Sequence, residues 1–177
     1  MKQIGIAFGL LVLSVVSFYW LSRKADLKLQ VMKPVAEIEK VLYFEMGPGV
    51  KVGEETEIKL KIKTQNRKVA SFATNFNYDP AVMEILSSQI NTDNFDKETT
   101  VNINKEMGTV KLLGNNGDRS KLIEGEDLVL VTFKVKGNKK GNSMLYMSKR
   151  PEVYIWDGSE EVRDDSYEMP NFKVNFL

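Results

Sequence analysis

Ser71-Phe72-Ala73-Thr74-Asn75-Phe76-Asn77-Tyr78-Asp79-Pro80 is the stretch on which the fold turns. Phe72, Thr74, Phe76 and Tyr78 share one parity; Ser71, Ala73, Asn75 and Asn77 share the other. Successive side chains of a strand point to opposite faces, so the alternation predicts a strand with one apolar and one polar face. Asp79-Pro80 stops it, because proline fixes its own φ and restricts the residue before it. Tyr78 is expected in the core, with Asp79 capping the turn that Pro80 opens.

The same period runs through the rest of the chain. Ile58, Leu60 and Ile62 alternate with Lys59, Lys61 and Lys63. Leu128 to Lys136 is the strongest strand signal, with Val129, Val131, Phe133 and Val135 on one parity. Val41 to Met46, Thr99 to Asn104, Thr109 to Leu113, Ser143 to Met147, Val153 to Trp156 and Phe172 to Phe176 read as further strands. Val82 to Leu86 reads as a short one, with a helical turn over Glu84 to Gln89 as the alternative. Lys105-Glu106-Met107-Gly108 has the spacing of a hairpin turn. About nine short strands without a convincing amphipathic helix predict an all-β, nine-stranded antiparallel β-sandwich or jelly roll over residues 41–177. The loops Asn91 to Glu98 and Asn115 to Asp127 are the longest and most polar, and are expected at the surface.

Ahead of this body, Ile4 to Leu21 carries no charge and no proline over 18 residues. That is close to the ~20 residues a helix needs to cross a hydrocarbon core. Lys2 precedes it, Arg23 and Lys24 follow, and Tyr19 and Trp20 stand where amphipathic rings favour the headgroup layer. A cleaved signal peptide would end in small residues, whereas Phe18-Tyr19-Trp20-Leu21 is bulky. Residues 1–24 are therefore expected to be one N-terminal transmembrane helix, with a signal peptide as the alternative. The short N-terminus is expected inside and the C-terminal domain outside, which makes the protein single-pass and the domain extracytoplasmic. Residues 25–40, interrupted by Pro34, read as a linker.

Composition narrows the chemistry. The chain has 177 residues, no cysteine and no histidine. Disulfides, thiol nucleophiles, histidine-based catalysis and the usual zinc sites are excluded. Lys and Arg total 25 against 24 Asp and Glu, a net of +1. From Val41 onward there are 19 basic and 21 acidic residues, a net of −2. Neither balance provides the basic footprint that nucleic acid requires. No pair of acids sits on a pattern that would set two carboxylates across a glycosidic bond, so no enzyme and no cofactor are expected.

Four stretches, in order, resemble the cohesin domain family of cellulosome-type proteins. They are Val50-Lys51-Val52-Gly53-Glu54-Glu55-Thr56-Glu57-Ile58, Phe76-Asn77-Tyr78-Asp79-Pro80-Ala81-Val82-Met83-Glu84-Ile85, Gly108-Thr109-Val110-Lys111-Leu112-Leu113 and Leu128-Val129-Leu130-Val131-Thr132-Phe133-Lys134-Val135-Lys136. The resemblance covers roughly Tyr43 to Phe176, with Tyr78-Asp79-Pro80 the most specific piece. It implies a jelly roll that binds a dockerin-like protein module on one sheet face, or polysaccharide in more distant relatives. A dockerin carries its own calcium, so the cohesin side needs no metal. The resemblance implies partner contacts from Ser71, Ala73, Asn75 and Asn77, and from Lys111, Leu112 and Asn115 on a second strand whose parity stays open. Ala73 stands where the family offers an acidic or amide residue.

Other candidates have plainer readings beside them. Tyr154 and Trp156 share a parity and form a candidate carbohydrate-stacking pair, since apolar sugar faces suit aromatic platforms; the plainer reading, which is favoured, is that both pack in the core or close its end. Asn91, Asp93 and Asp96 suggest a calcium loop but miss the EF-hand pattern, so a solvated loop is expected. Asp157, Glu160, Glu161, Asp164 and Asp165, with Arg163 among them, read as a wet loop. The sequence thus predicts a membrane-anchored, non-catalytic binding module for a protein partner. A carbohydrate-binding domain and a structural domain of a surface assembly are the alternatives.

Overall fold

The computed structural model describes residues 41–93, 95, 99–118, 122 and 127–177. The expected anchor and linker lie outside the described residues. The strands are β1 (Leu42–Met46), β2 (Glu55–Lys63), β3 (Lys68–Asn77), β4 (Met83–Ile90), β5 (Thr100–Asn104), β6 (Thr109–Asn115), β7 (Asp127–Gly137), β8 (Gly141–Leu145), β9 (Glu152–Trp156), β10 (Glu161–Arg163) and β11 (Phe172–Phe176). They form a sheet ordered β1-β2-β7-β4, a sheet ordered β10-β9-β3-β6-β5 and the pair β11-β8. Every named ladder is antiparallel.

The all-β sandwich is as expected, but eleven strands are described where about nine were read. β10 lies inside the acidic run, whose charges hide a strand that the Glu161↔Trp156 and Arg163↔Tyr154 pairings hold. β4 runs unbroken through Ile90, which rules out the helical turn over Glu84 to Gln89. Its ladder with β7 provides backbone partners that a lone helical turn lacks.

The core fills the space between the two large sheets. Phe44 and Phe133 come from the four-stranded sheet and Phe76 from the five-stranded one. Phe76 meets Phe44 edge-on at 5.0 Å and Phe133 edge-on at 5.5 Å. Ile58, Leu60 and Ile62 of β2 are buried as their alternation requires, as are Phe72, Phe76 and Tyr78. Val131, Phe133 and Val135 of β7 face inward, but Val129 does not. The register shifts at Leu60/Lys61, so that Leu60 opposes Val131 while Lys61 opposes Val129. A β-bulge adds one residue and reverses parity beyond it; Leu130 takes the buried place.

The turn after β3 behaves as read. Asp79 Oδ1 accepts the Ala81 N–H at 2.9 Å, its carbonyl accepts from Val82 and Met83, and its own N–H donates to Ser143 Oγ at 3.0 Å. Gly108 has φ +62°, and an added Cβ would fall 2.2 Å from Tyr78 O. Only glycine allows the Tyr78 N–H to reach the Gly108 carbonyl at 2.8 Å. In the two polar stretches some described side chains are not superficial. Phe95 and Leu122 are buried, and Phe95 meets Phe72 edge-on at 5.2 Å. Single apolar side chains are therefore buried within stretches of otherwise polar composition.

Phe133→Ala should destabilise the domain by about 3–5 kcal/mol, the usual cost of emptying an aromatic core site. An unchanged denaturant midpoint would place this parity at the surface. Tyr167 offers a second check. It is fully buried, its hydroxyl has no hydrogen-bond partner among the described residues, and burial pushes its pKa up to about 12. The unfolded state therefore releases this proton first, near pH 10. The stability it contributes is whole below pH 10 and drains away as pH rises toward 12. Tyr167→Phe should leave stability at pH 7 within about 1 kcal/mol of the parent, since no hydrogen bond is lost. It should flatten the fall of the denaturant midpoint between pH 10 and 12.

Candidate functional site

The two large sheets present very different outer faces. On β1-β2-β7-β4, the outward residues include Glu45 opposite Lys59, Glu57 opposite Lys134 and Glu55 opposite Lys136. Lys61 donates to Glu45 at 2.9 Å, and Lys134 pairs with Glu55. Lys61 and Lys63 also lie 5.7 and 5.9 Å from the Tyr43 ring. Such a face is laced with charge pairs of its own.

The outer face of β9-β3-β6-β5 is built from other residue types. Registers place Ser71 opposite Asn115, Ala73 opposite Leu113, Asn75 opposite Lys111 and Asn77 opposite Thr109. β5 continues the rows, with Thr100 opposite Leu113, Asn102 opposite Lys111 and Asn104 opposite Thr109. On the other side, Tyr154 opposes Ser71 and Glu152 opposes Ala73. Residues directly opposite in a ladder share a face. From Ser71 to Asn77 and along β6, Lys111 is the one charged side chain on this face. Leu113 stands at its centre, 49% exposed.

Most residues expected at a partner surface fall here: Ser71, Ala73, Asn75, Asn77, Lys111 and Asn115 form one continuous block. Leu112 does not. It is buried, because Val110, Leu112 and Gly114 form the inward parity of β6. Gly114 belongs there because Phe72 lies across from it, and a Cβ would meet that ring at 2.0 Å. The outward residue is Leu113, and the parity of Lys111 two positions earlier already pointed to it. Tyr154 and Trp156 lie on this same outer face, both half-buried, so the two candidate sites share one sheet. A bulge at Ala70 buries both Val69 and Ala70 and returns Ser71 to the outward parity.

Residues that the sequence reading missed extend the face. Tyr146 bridges to Asn77 and is 46% exposed; Met144, two residues before it, is 43% exposed. Met107, at the β5–β6 hairpin, is 71% exposed. The strands alone make a platform of roughly 19 by 20 Å. A standard partner footprint is about 800 Å², so the β8 end and the hairpin have to supply part of any such contact. Asn75 Oδ1 is shielded and has no hydrogen-bond partner among the described residues, so replacing Asn75 costs the fold no bond at that oxygen.

The acidic run is occupied with its own chain. Asp157 Oδ1 accepts the N–H groups of Ser159 and Glu160, and Glu160 first, then Ser159, hold its carboxyl below the ordinary range. Asp164 pairs with Arg67 at 2.7 Å, and Arg163 pairs with Asp165 at 2.7 Å. Asn91 Oδ1 accepts the Asp93 N–H, an Asx turn, while Asp96 lies outside the described residues. Among the described residues no group of three acidic side chains is placed to hold a metal.

The family model for the cohesin domain matches residues 47–162. The chain belongs to the cohesin domain family. Solved cohesins share the fold. The seventh ScaB type I cohesin from Pseudobacteroides cellulosolvens superposes with a TM-score of 0.62 at 14% identity, covering 77% of this chain and 91% of that one. A type II cohesin from the cellulosome of Acetivibrio cellulolyticus gives 0.63 at 16% identity, with 77% and 95% covered. A cohesin from a novel type I cohesin–dockerin complex of Clostridium thermocellum gives 0.61 at 18% identity, with 78% and 96% covered. No curated protein matches the chain. Cohesin domains are non-catalytic binding modules, and this cohesin contains neither histidine nor cysteine for other work.

The inside–outside assignment of β6 can be checked directly. Leu112→Ala should cost about 2–5 kcal/mol. Leu113→Ala, at an exposed position, should stay within about 0.5 kcal/mol of the parent. Chemical denaturation of the pair separates them, and equal costs would contradict the register.

Proposed function

We propose that this cohesin captures a dockerin-like protein module on the outer face of β9-β3-β6-β5. The observation that carries the reading is the contrast between the faces: one bristles with paired charges, while on the other β3 from Ser71, β6 and β5 carry Lys111 as their one charge, with Leu113 exposed among them. Interface cores lose charged residues and gain apolar ones. Leu113, Ala73 and Tyr146 supply apolar area, and Asn75, Asn77, Thr109 and Asn102 supply hydrogen-bonding groups between them. Lys111 favours an acidic group on the partner. Ala73 shortens the polar contact on β3, which shifts weight to the apolar centre.

The reading includes the location. Ile4 to Leu21 has the length and flanks of a membrane span, and it supports an anchor that holds the domain outside the cytoplasm. An anchored receptor keeps captured modules at the surface and raises their effective concentration there.

The test is a titration of dockerin modules against the cohesin and two variants. Asn75→Lys with Asn77→Lys puts unpaired charge into the face, and should weaken binding at least a hundredfold while circular dichroism stays that of the parent. Leu113→Lys should do the same from the centre. Removing calcium should abolish binding through the dockerin, which carries that ion. Equal affinities for parent and variants would move the contact elsewhere.

A further inference from the structure

We propose that a groove at the β9–β10 edge, away from the centre of the protein-binding face, binds a neutral oligosaccharide. The groove holds about 680 Å³, within the roughly 300–1,000 Å³ of small-ligand sites. The β2–β3 turn and the ends of β9 and β10 frame it.

Its walls mix apolar side chains with charged ones. The groove wraps the end of the sheet: Trp156, half-buried, lines it from the outer face, and Ile155 and Val162 line it from the core side. Val162 opposes Ile155, so both lie on the core side of the sheet. Val162 is nevertheless 45% exposed. The core-side surface therefore opens to solvent at this edge.

The charges lining the groove cancel: Arg67, Lys68 and Arg163 stand against Asp157, Asp164 and Asp165. Arg67–Asp164 and Arg163–Asp165 are ion pairs at 2.7 Å, and Asp157 is held by backbone N–H groups of its own turn. A charged ligand would meet as much repulsion as attraction. A wholly apolar one would strip water from paired ions with nothing in return. A neutral ligand with many hydroxyls escapes both costs. Its hydroxyls donate to carboxylates and accept from guanidinium groups, while its C–H face lies against indole. That combination describes a sugar ring. The turn that presents Arg67 is itself unusual, with Gln65 at φ 53° and Asn66 at φ 60°, left-handed positions for side-chain-bearing residues.

The experiment uses the full chain in a detergent without a sugar headgroup, carrying Trp20→Phe so that Trp156 is the only indole. Cellohexaose, maltohexaose and xylohexaose are titrated by tryptophan emission and calorimetry, with hexagalacturonate as the charged control. At least one neutral hexaose should bind and shift the emission. Trp156→Ala should weaken it more than about tenfold, whereas Trp156→Phe should stay within about threefold. Asn75→Lys with Asn77→Lys should leave it unchanged, which separates this site from the protein-binding face. If Trp156→Ala fails to fold, Asp165→Ala decides the matter with an expected loss of about fivefold or more. Binding of no neutral hexaose, preference for hexagalacturonate, or parent affinity in Trp156→Ala (or in Asp165→Ala, where that variant decides) would overturn the proposal.

Discussion

Phe76 holds the two sheets together. Its edge-on contacts with Phe44 at 5.0 Å and Phe133 at 5.5 Å cross the interior from one sheet to the other. Aromatic pairs of this geometry add to what their burial alone contributes. The consequence for function is one of parity. Once Phe72, Thr74 and Phe76 are committed inward, Ser71, Ala73, Asn75 and Asn77 have to face out. Every neighbour across the ladder is then placed as well, down to Leu113 and Asn102. The core of this protein thus arranges its surface.

The two outer faces divide the work of a binding module. A protein that displays a bare face needs solubility from elsewhere, and the charge-laden sheet supplies it. Lys59, Lys61, Lys63, Lys134 and Lys136 are interleaved with Glu45, Glu55, Glu57, Glu84 and Asp127, so neither sign accumulates. On the opposite sheet the charges gather toward one side, with Glu161 and Arg163 on β10 and Glu152 on β9 opposite Ala73, while β3 from Ser71, β6 and β5 carry Lys111 as their one charge. An apolar centre ringed by polar groups is the usual build of a protein interface.

Bulges decide what happens at the ends of that pattern. One at Ala70 resets β3 just before its outward block begins, and another at Leu130 reverses β7 so that Val129 faces water. Both fall where simple alternation would have put the wrong residue outside. Phe95, in a stretch of otherwise polar residues, is buried edge-on against Phe72.

The strands, the sandwich, the Asp79-Pro80 turn and most of the outward block were legible in the sequence, because a half-buried strand writes its two faces as a period of two. The family was legible for the same reason, through the residues around Tyr78-Asp79-Pro80. Three things were not. Parity past a bulge depends on the partner strand, so Val129 was misplaced. Leu112 and Leu113 are chemically identical, so their parity stayed open in the reading, and the ring of Phe72 against Gly114 fixes Leu112 on the buried side. β10 carries charges that read as loop, and it is a strand only because β9 offers it a ladder. The sequence by itself determined the alternation and therefore the core. The tertiary structure decided which strands are neighbours, and so which side chains share a face, because ladder pairing is a long-range choice that no local pattern encodes.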